Sequence, residues 1–218
     1  MVKYEQEMID IIGALQESNM LSQCVVAGSW SMYFYNFIFE DFIPPIATTD
    51  LDIFLPNPSK IQNSNISKLL TDLDYLREDD YISGKTKYFS ANGFEIEFLT
   101  VPNRTMSNVV KIKAGNIGAE ALPKLAPAGW NYIQVNFNNY IVNVASPVSF
   151  VLQKLLINEE RQSLEKKNKD LDAVRYVLNF IKLSNKYFAE LKESLETYPK
   201  KWKKTIFETA KKNNIELY

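Results

Sequence analysis

Residues 24–37, CVVAGSWSMYFYNF, join an apolar run, a glycine-serine pair and an aromatic-rich stretch, and their reading decides the fold. Cys24-Val25-Val26-Ala27 has the length and side chains of a buried strand ending at Gly28. Ser29 is a good N-cap for a following helix that carries Trp30, Met32, Tyr33, Phe34 and Phe37. The stretch therefore predicts a strand, a tight turn and a helix. Downstream, Pro44-Pro45 breaks the chain before residues 49–55, where Leu51, Ile53 and Leu55 alternate with Asp50 and Asp52. That alternation places both aspartates on one face of a second strand.

Working outward, Met8, Ile11, Ile12 and Leu15 recur at helical spacing and predict an opening helix over 4–19. Pro56 and Pro58 end the aspartate strand. A helix is expected over 64–77, with Ile66, Leu69, Leu70, Leu73 and Leu76 as its buried stripe. Residues 87–91 and 94–100 are expected to pair as a hairpin across Asn92-Gly93, a dipeptide suited to a tight turn. In its second strand Phe94, Ile96 and Phe98 share one face and Glu95 and Glu97 the other. Residues 101–130 read as irregular. A second hairpin turns at Asn138-Asn139, and from Pro147 onward the chain reads as helices over 147–163, 168–184, 186–197 and 200–213.

Composition narrows the chemistry. The 218 residues are 46% hydrophobic and 23% charged, the balance of an ordinary folded protein. There is no histidine and one cysteine, Cys24. Ser-His and Cys-His nucleophile pairs, His-ligated zinc, CxxC clips and an internal disulfide are thereby excluded. Catalysis has to run on carboxylates, lysines, arginines, hydroxyls or hard metal ions, and oxygen ligands favour Mg²⁺ or Mn²⁺. The start, MVKYEQEM, lacks the pattern of a signal peptide, and the two long uncharged runs are interrupted by polar residues and prolines, so a cytoplasmic protein without membrane spans is expected.

Singly, a Gly-Ser turn, an Asp-x-Asp strand and a strand glutamate are ordinary features. Their order gives them meaning. A helix start at Gly28-Ser29 offers backbone N–H groups to a triphosphate, and the glycine lets phosphate approach the backbone. Clustered carboxylates hold two divalent ions about 3.5–4 Å apart, one beside the attacking oxygen and one beside the leaving pyrophosphate.

The segments AGSWSMYFY, TTDLDIFLP and FEIEFLT resemble the DNA polymerase β-like nucleotidyltransferase superfamily, and within it the small bacterial nucleotidyltransferases of unassigned substrate and abortive-infection toxin relatives. The resemblance spans roughly residues 20–183. It implies an α+β fold, a mixed sheet flanked by helices over 1–146 with a helical C-terminal region, 147–218, packed on that core. It also implies that Gly28 and Ser29 bind the triphosphate of an NTP such as ATP, that Asp50 and Asp52 hold both metals, and that Glu97 holds the catalytic one. Glu97 stands where the superfamily usually has Asp, and Glu95 on the same face is its rival. The longer spacing from Ser29 to Asp50 implies a longer helix or a loop around Pro44-Pro45.

The stretch FVLQKLLINEERQSLEKKNKDLDAV is similar to the superfamily's nucleotide-supporting helix. Lys154 and Arg161 are expected seven apart on one helical face as nucleotide-binding residues, with Lys169-Asp170 opening the next helix; solvent-facing charges are the plain alternative. The expected reaction is transfer of a nucleoside monophosphate from an NTP to an acceptor hydroxyl or phosphate. A non-catalytic nucleotide-binding protein, acting as a regulator or a toxin–antitoxin component, is the second reading. A glycosyltransferase would explain Asp-x-Asp but not Gly28-Ser29.

The tail bears on the acceptor. Residues 182–218 hold nine lysines and five glutamates, with Lys200-Lys201-Trp202-Lys203-Lys204 as the densest part. An aromatic among lysines suits RNA, tRNA included, gripping phosphates and stacking a base. The same stretch also reads as a solvated last helix whose Trp202 packs on the core.

Overall fold

The computed structural model describes residues 4–45, 48–102, 107–125 and 131–218. By internal contacts the chain divides into two units, one of 1–30 with 46–145 and one of 31–45 with 146–218.

The first unit is an α+β assembly. Its strands are β1 (Val25–Ala27), β2 (Asp50–Leu55), β3 (Leu76–Asp79), β4 (Thr86–Phe89), β5 (Glu95–Thr100), β6 (Val109–Ile112), β7 (Ile117–Ala121), β8 (Tyr132–Phe137) and β9 (Tyr140–Ala145). They form one mixed sheet in the order β3-β4-β5-β2-β1-β9-β8, with β7 also pairing β5 and β6 pairing β7. The β2–β5 and β1–β9 pairs are parallel and β1–β2 is antiparallel. One face of the sheet carries Leu51, Ile53, Tyr88, Phe94, Ile96 and Phe98, all fully buried. The Phe94 ring meets Tyr4 at 5.1 Å and Trp30 at 5.4 Å between centroids. Helix α1 (Glu5–Glu17) buries Met8, Ile11, Ile12 and Leu15, as its periodicity requires, and lies against α3 (Ile66–Asp72). On the opposite face Val25, Ala27, Phe54, Leu99, Leu125 and Ala145 form a second apolar cluster.

Several local expectations change. The helix expected over 64–77 stops at Asp72, Asp74 adopts a left-handed conformation (φ 62°), and Leu76 opens the short strand β3, exposed. The segment expected to be irregular contains the β6–β7 hairpin, turned through Asn116 at φ 51°. The parts of that segment at 103–106 and 126–130 lie outside the described residues. The β8–β9 hairpin turns at Asn138 and Asn139 with φ 47° and 66°, the positive pair a two-residue turn demands.

The second unit contains α2 (Ser31–Tyr35), α4 (Pro147–Ile157), α5 (Leu164–Leu183), α6 (Asn185–Thr197) and α7 (Lys200–Lys212). Serines cap three of these helices: Ser146 accepts from the Ser149 N–H, Ser163 from Lys166 and Ser184 from Tyr187. Its core is aromatic. Phe42 meets Phe180 at 4.9 Å and Tyr176 at 5.0 Å, Phe39 meets Tyr187 at 5.2 Å, and Tyr35 meets Phe150 at 6.1 Å. Among the described residues no helix is long and apolar enough to cross a membrane.

Candidate active site

The strand register assembles the site. In the parallel β2–β5 pair Asp50 stands opposite Glu95 and Asp52 opposite Glu97. On the other side of β2, Ala27 pairs with Asp52, and on the other side of β5, Lys87 pairs with Glu97. Residues paired in register share a face, so Lys87, Glu97, Asp52 and Ala27 form one row across four strands. The four acids sit at the beginnings of their strands. Two residues further along each strand, the same face turns apolar with Phe54 and Leu99. Asp50 is exposed and accepts a hydrogen bond from Thr49 Oγ1 at 3.1 Å, while Asp52, Glu95 and Glu97 are half-buried.

Gly28 closes the site from the β1 side. Its φ is +62°, and a Cβ built there would stand 1.9 Å from Asp52 Oδ2. Only glycine tolerates both that backbone and that approach. The turn differs from expectation: Gly28–Trp30 is a single turn of 3-10 helix, and α2 after it has only five residues, all buried. The expected order of strand, tight turn and helix is present, and of the two expectations for the long Ser29–Asp50 spacing the longer helix is corrected, since α2 ends at Tyr35. The bulky, wholly buried run from Ser31 to Tyr35 belongs to the second unit and has no polar stripe to extend as a surface helix. The turn's backbone N–H groups, rather than a long helix dipole, are what Gly28-Ser29 can offer a phosphate.

Two lysines that sequence reading did not single out dominate the electrostatics. Lys87 Nζ pairs with both Glu95 and Glu97, and Lys85 Nζ pairs with Glu97 at 3.1 Å and with Glu120 at 2.5 Å. Burial works to raise the Glu97 carboxyl, but the Lys87 hydrogen bond, a hydrogen bond with Glu95 and the two ammonium charges leave it below its ordinary value. Burial dominates at Glu95, which is raised despite Lys87. Both ammoniums are raised because their carboxylate partners outweigh burial.

Four carboxylates on one face, all hard oxygen donors, are the chemistry that suits a hard divalent cation. Among the described residues, however, no three acids stand close enough together to hold a metal ion. Asp50 and Asp52 are strand neighbours aimed at the same side, while Glu97 is engaged by the lysines.

Lys154 and Arg161 lie in the second unit. They are not on one helical face, because α4 ends at Ile157 and a 3-10 turn over Asn158–Glu160 precedes Arg161. Both instead converge on the buried carboxylate of Asp170, Lys154 Nζ at 2.6 Å and Arg161 Nε at 2.8 Å.

The mixed sheet thus sets an Asp-x-Asp strand beside a Gly-Ser turn. The family model for nucleotidyltransferases matches residues 6–197, and the chain belongs to that family and is an enzyme of it. No curated protein matches the sequence. Among solved structures, the chain is similar to the antibiotic-resistance factor ANT(2'')-Ia, at 11% identity over 87% of this chain and 89% of that one with a TM-score of 0.49. It is similar also to an antigenic nucleotidyltransferase-like protein from Paracoccidioides brasiliensis, at 16% identity over 93% and 92% with a TM-score of 0.48. A third is the lincosamide antibiotic adenylyltransferase LnuA, at 12% identity over 79% and 97% with a TM-score of 0.45.

Proposed function

We propose that the protein transfers a nucleoside monophosphate from an NTP to an acceptor hydroxyl or phosphate, using the face formed by Gly28, Ser29, Asp50, Asp52 and Glu97. The observation that carries this reading is the register that sets Asp52 between Gly28's turn and Glu97, with Asp50 two residues away on the same face. Asp50 and Asp52 would hold Mg²⁺ or Mn²⁺, with Glu97 as the third ligand. When bound, the metal supplies charge stabilisation at the α-phosphate and the departing pyrophosphate. The backbone N–H groups of the Gly28-Ser29 turn bind triphosphate oxygens. A bond forms between the acceptor oxygen and the α-phosphorus, the α–β bridging bond breaks, and pyrophosphate leaves with the electron pair. The acceptor's proton passes to a carboxylate of this face. The lysine-rich helix α7 supports RNA as the acceptor class.

The test is incorporation of label from each α-³²P NTP into total RNA, protein or small-molecule acceptors, comparing the wild type with Asp52→Asn. Transfer by the wild type, reduced about 10²-fold or more in the variant, is the expected result. Equal incorporation by both would reject the assignment. Nucleotide binding without incorporation by either would favour the regulatory reading.

A further inference from the structure

Among the described residues, Glu97 is the one carboxylate that Lys85 and Lys87 share. Each lysine also has a second acid of its own: Lys87 holds Glu95, and Lys85 holds Glu120. The side chains of Lys85 and Glu97 are each only 17% exposed, so an ammonium left there without a partner would be costly. The arrangement avoids that cost. If Glu97 turns away, Lys87 remains on Glu95 and Lys85 remains on Glu120, and neither charge is stranded.

Glu97 also lies across from Asp52 in register, one strand away on the same face. A carboxylate has two oxygens and limited acceptor capacity, and here both ammoniums draw on it. The contacts that hold Glu97 are cationic, and Lys87 makes its contact from β4, on the side of β5 away from Asp52.

We infer that Lys85 and Lys87 form an internal cation clamp on Glu97, which a divalent metal at Asp50 and Asp52 displaces, with Glu95 and Glu120 receiving the released ammoniums. This rests on the metal assignment proposed above. Lys85 and Lys87 act in it as positioning residues: they offset part of the charge of the acid face until the metal arrives and give Glu97 two alternative partners.

The experiment measures Mn²⁺ binding directly, by electron paramagnetic resonance of the free ion, in the absence of NTP. Removing the competitor with Lys87→Met is expected to tighten Mn²⁺ binding about two- to fivefold, what one partly exposed ion pair is worth. Lys85→Met changes it in the same direction. Glu95→Gln, which removes Lys87's second partner, is expected to weaken binding. A general field effect would give some of the same signs, so the deciding arm is the Glu97→Gln background. There the clamp has no charge to hold, and Lys87→Met should no longer change affinity. An unchanged affinity in Lys87→Met alone, or the same tightening in both backgrounds, overturns the clamp. Asp52→Asn separates this from failure of the underlying reading: if Mn²⁺ binding survives Asp52→Asn, the metal assignment itself is wrong. Melting temperatures of each apo variant, with Lys87→Gln as an alternative to Met, confirm that the folded protein is being titrated.

Discussion

Gly28 and Asp52 face each other across the β1–β2 pair so closely that a single added carbon on Gly28 would lie 1.9 Å from the Asp52 carboxylate. Gly28→Ala is therefore expected to fail twice, through a left-handed backbone that costs about 1–2 kcal/mol with a Cβ and through displacement of Asp52. Activity should fall more than stability does. A double-mutant cycle by urea unfolding checks the pairing: Gly28→Ala should cost less in an Asp52→Ala background, where the clash with the carboxylate is gone. Equal costs in both backgrounds would leave only the backbone effect.

Much of this site was legible because strand alternation alone sorts Asp50 and Asp52 from Leu51 and Ile53, and Glu95 and Glu97 from Phe94, Ile96 and Phe98. The lysines were not legible, and the reason is one residue of register. A two-residue Asn92-Gly93 turn would pair Ala91 with Phe94 and put Lys87 opposite Phe98. The loop instead spans Ala91, Asn92 and Gly93, with Gly93 at φ +77° and the Ser90 N–H donating to Phe94 O, so Lys87 falls opposite Glu97. A slip of one residue exchanges faces. The β6–β7 hairpin was hidden for another reason: β7 contains Gly118, which packs so tightly against the Gly84 carbonyl that a Cβ would stand 2.0 Å from it, and glycine in a strand carries no sequence signal of its own. Pro147 marked the start of α4, and the last two helices fall within a residue of expectation, but α4 ends at Ile157 rather than 163 and α5 begins at Leu164 rather than 168.

Lys154 is buried on the carboxylate of Asp170, which Arg161 also contacts. Truncating one partner of a buried pair typically costs about 3–5 kcal/mol, and the remaining Arg161 should hold Lys154→Ala to the low end of that range. Chemical denaturation should show the loss, and Asp170→Asn with Lys154→Met, which removes both charges, should recover part of it. A Lys154→Ala variant with unchanged stability and weakened NTP binding would instead return this lysine to the nucleotide.

Glu190 accepts a hydrogen bond from Ser146 Oγ at 2.6 Å, yet burial raises its carboxyl above the ordinary value, with Ser146 and Lys186 opposing and Glu193 adding to the rise. A folded-state value above the unfolded one means that the stability linked to protonation is fully present below the unfolded value, about 4.3, and is lost as pH rises through the folded one. Glu190→Gln keeps an acceptor for Ser146 and removes the ionisation. Its melting temperature should exceed that of the wild type at pH 7 and match it near pH 4. A higher melting temperature for the wild type at pH 7 would show that the ionised form is the one the fold prefers.

Helix α7 is strongly basic, with six lysines and one glutamate among its thirteen residues. Of the two readings of Trp202, stacking a base or packing within the fold, the structure favours the second: its ring is half-buried and meets Tyr198 edge-on at 6.1 Å. Within residues 200–218 the exposed aromatics are Phe207 and Tyr218, 41% and 56% exposed, with centroids 6.3 Å apart. Lys200, Lys204 and Lys211 recur at i, i+4 and i+11 on the exposed side that includes Phe207, with Lys201 beside them and Glu208 as the one acid. Lys203 and Lys212 are engaged elsewhere, with the Glu196 carbonyl and the Glu159 carboxylate, and Lys204 pairs with Glu208 at 3.8 Å on the exposed face. An RNA acceptor would thus meet phosphate-binding lysines flanking a stacking pair. Binding of single-stranded RNA should weaken with salt, and changing Lys200, Lys201, Lys204 and Lys211 to Gln should reduce the slope of log K against log salt by about 2–3. Phe207→Ala should cost about 1–3 kcal/mol of RNA affinity with little change in the salt slope, whereas Trp202→Ala should lower the melting temperature. Filter binding across a salt series reads all three. If the quadruple variant keeps the wild-type slope and Phe207→Ala binds RNA as tightly as the wild type, the helix is a solvated face and the acceptor is to be sought among small molecules or proteins.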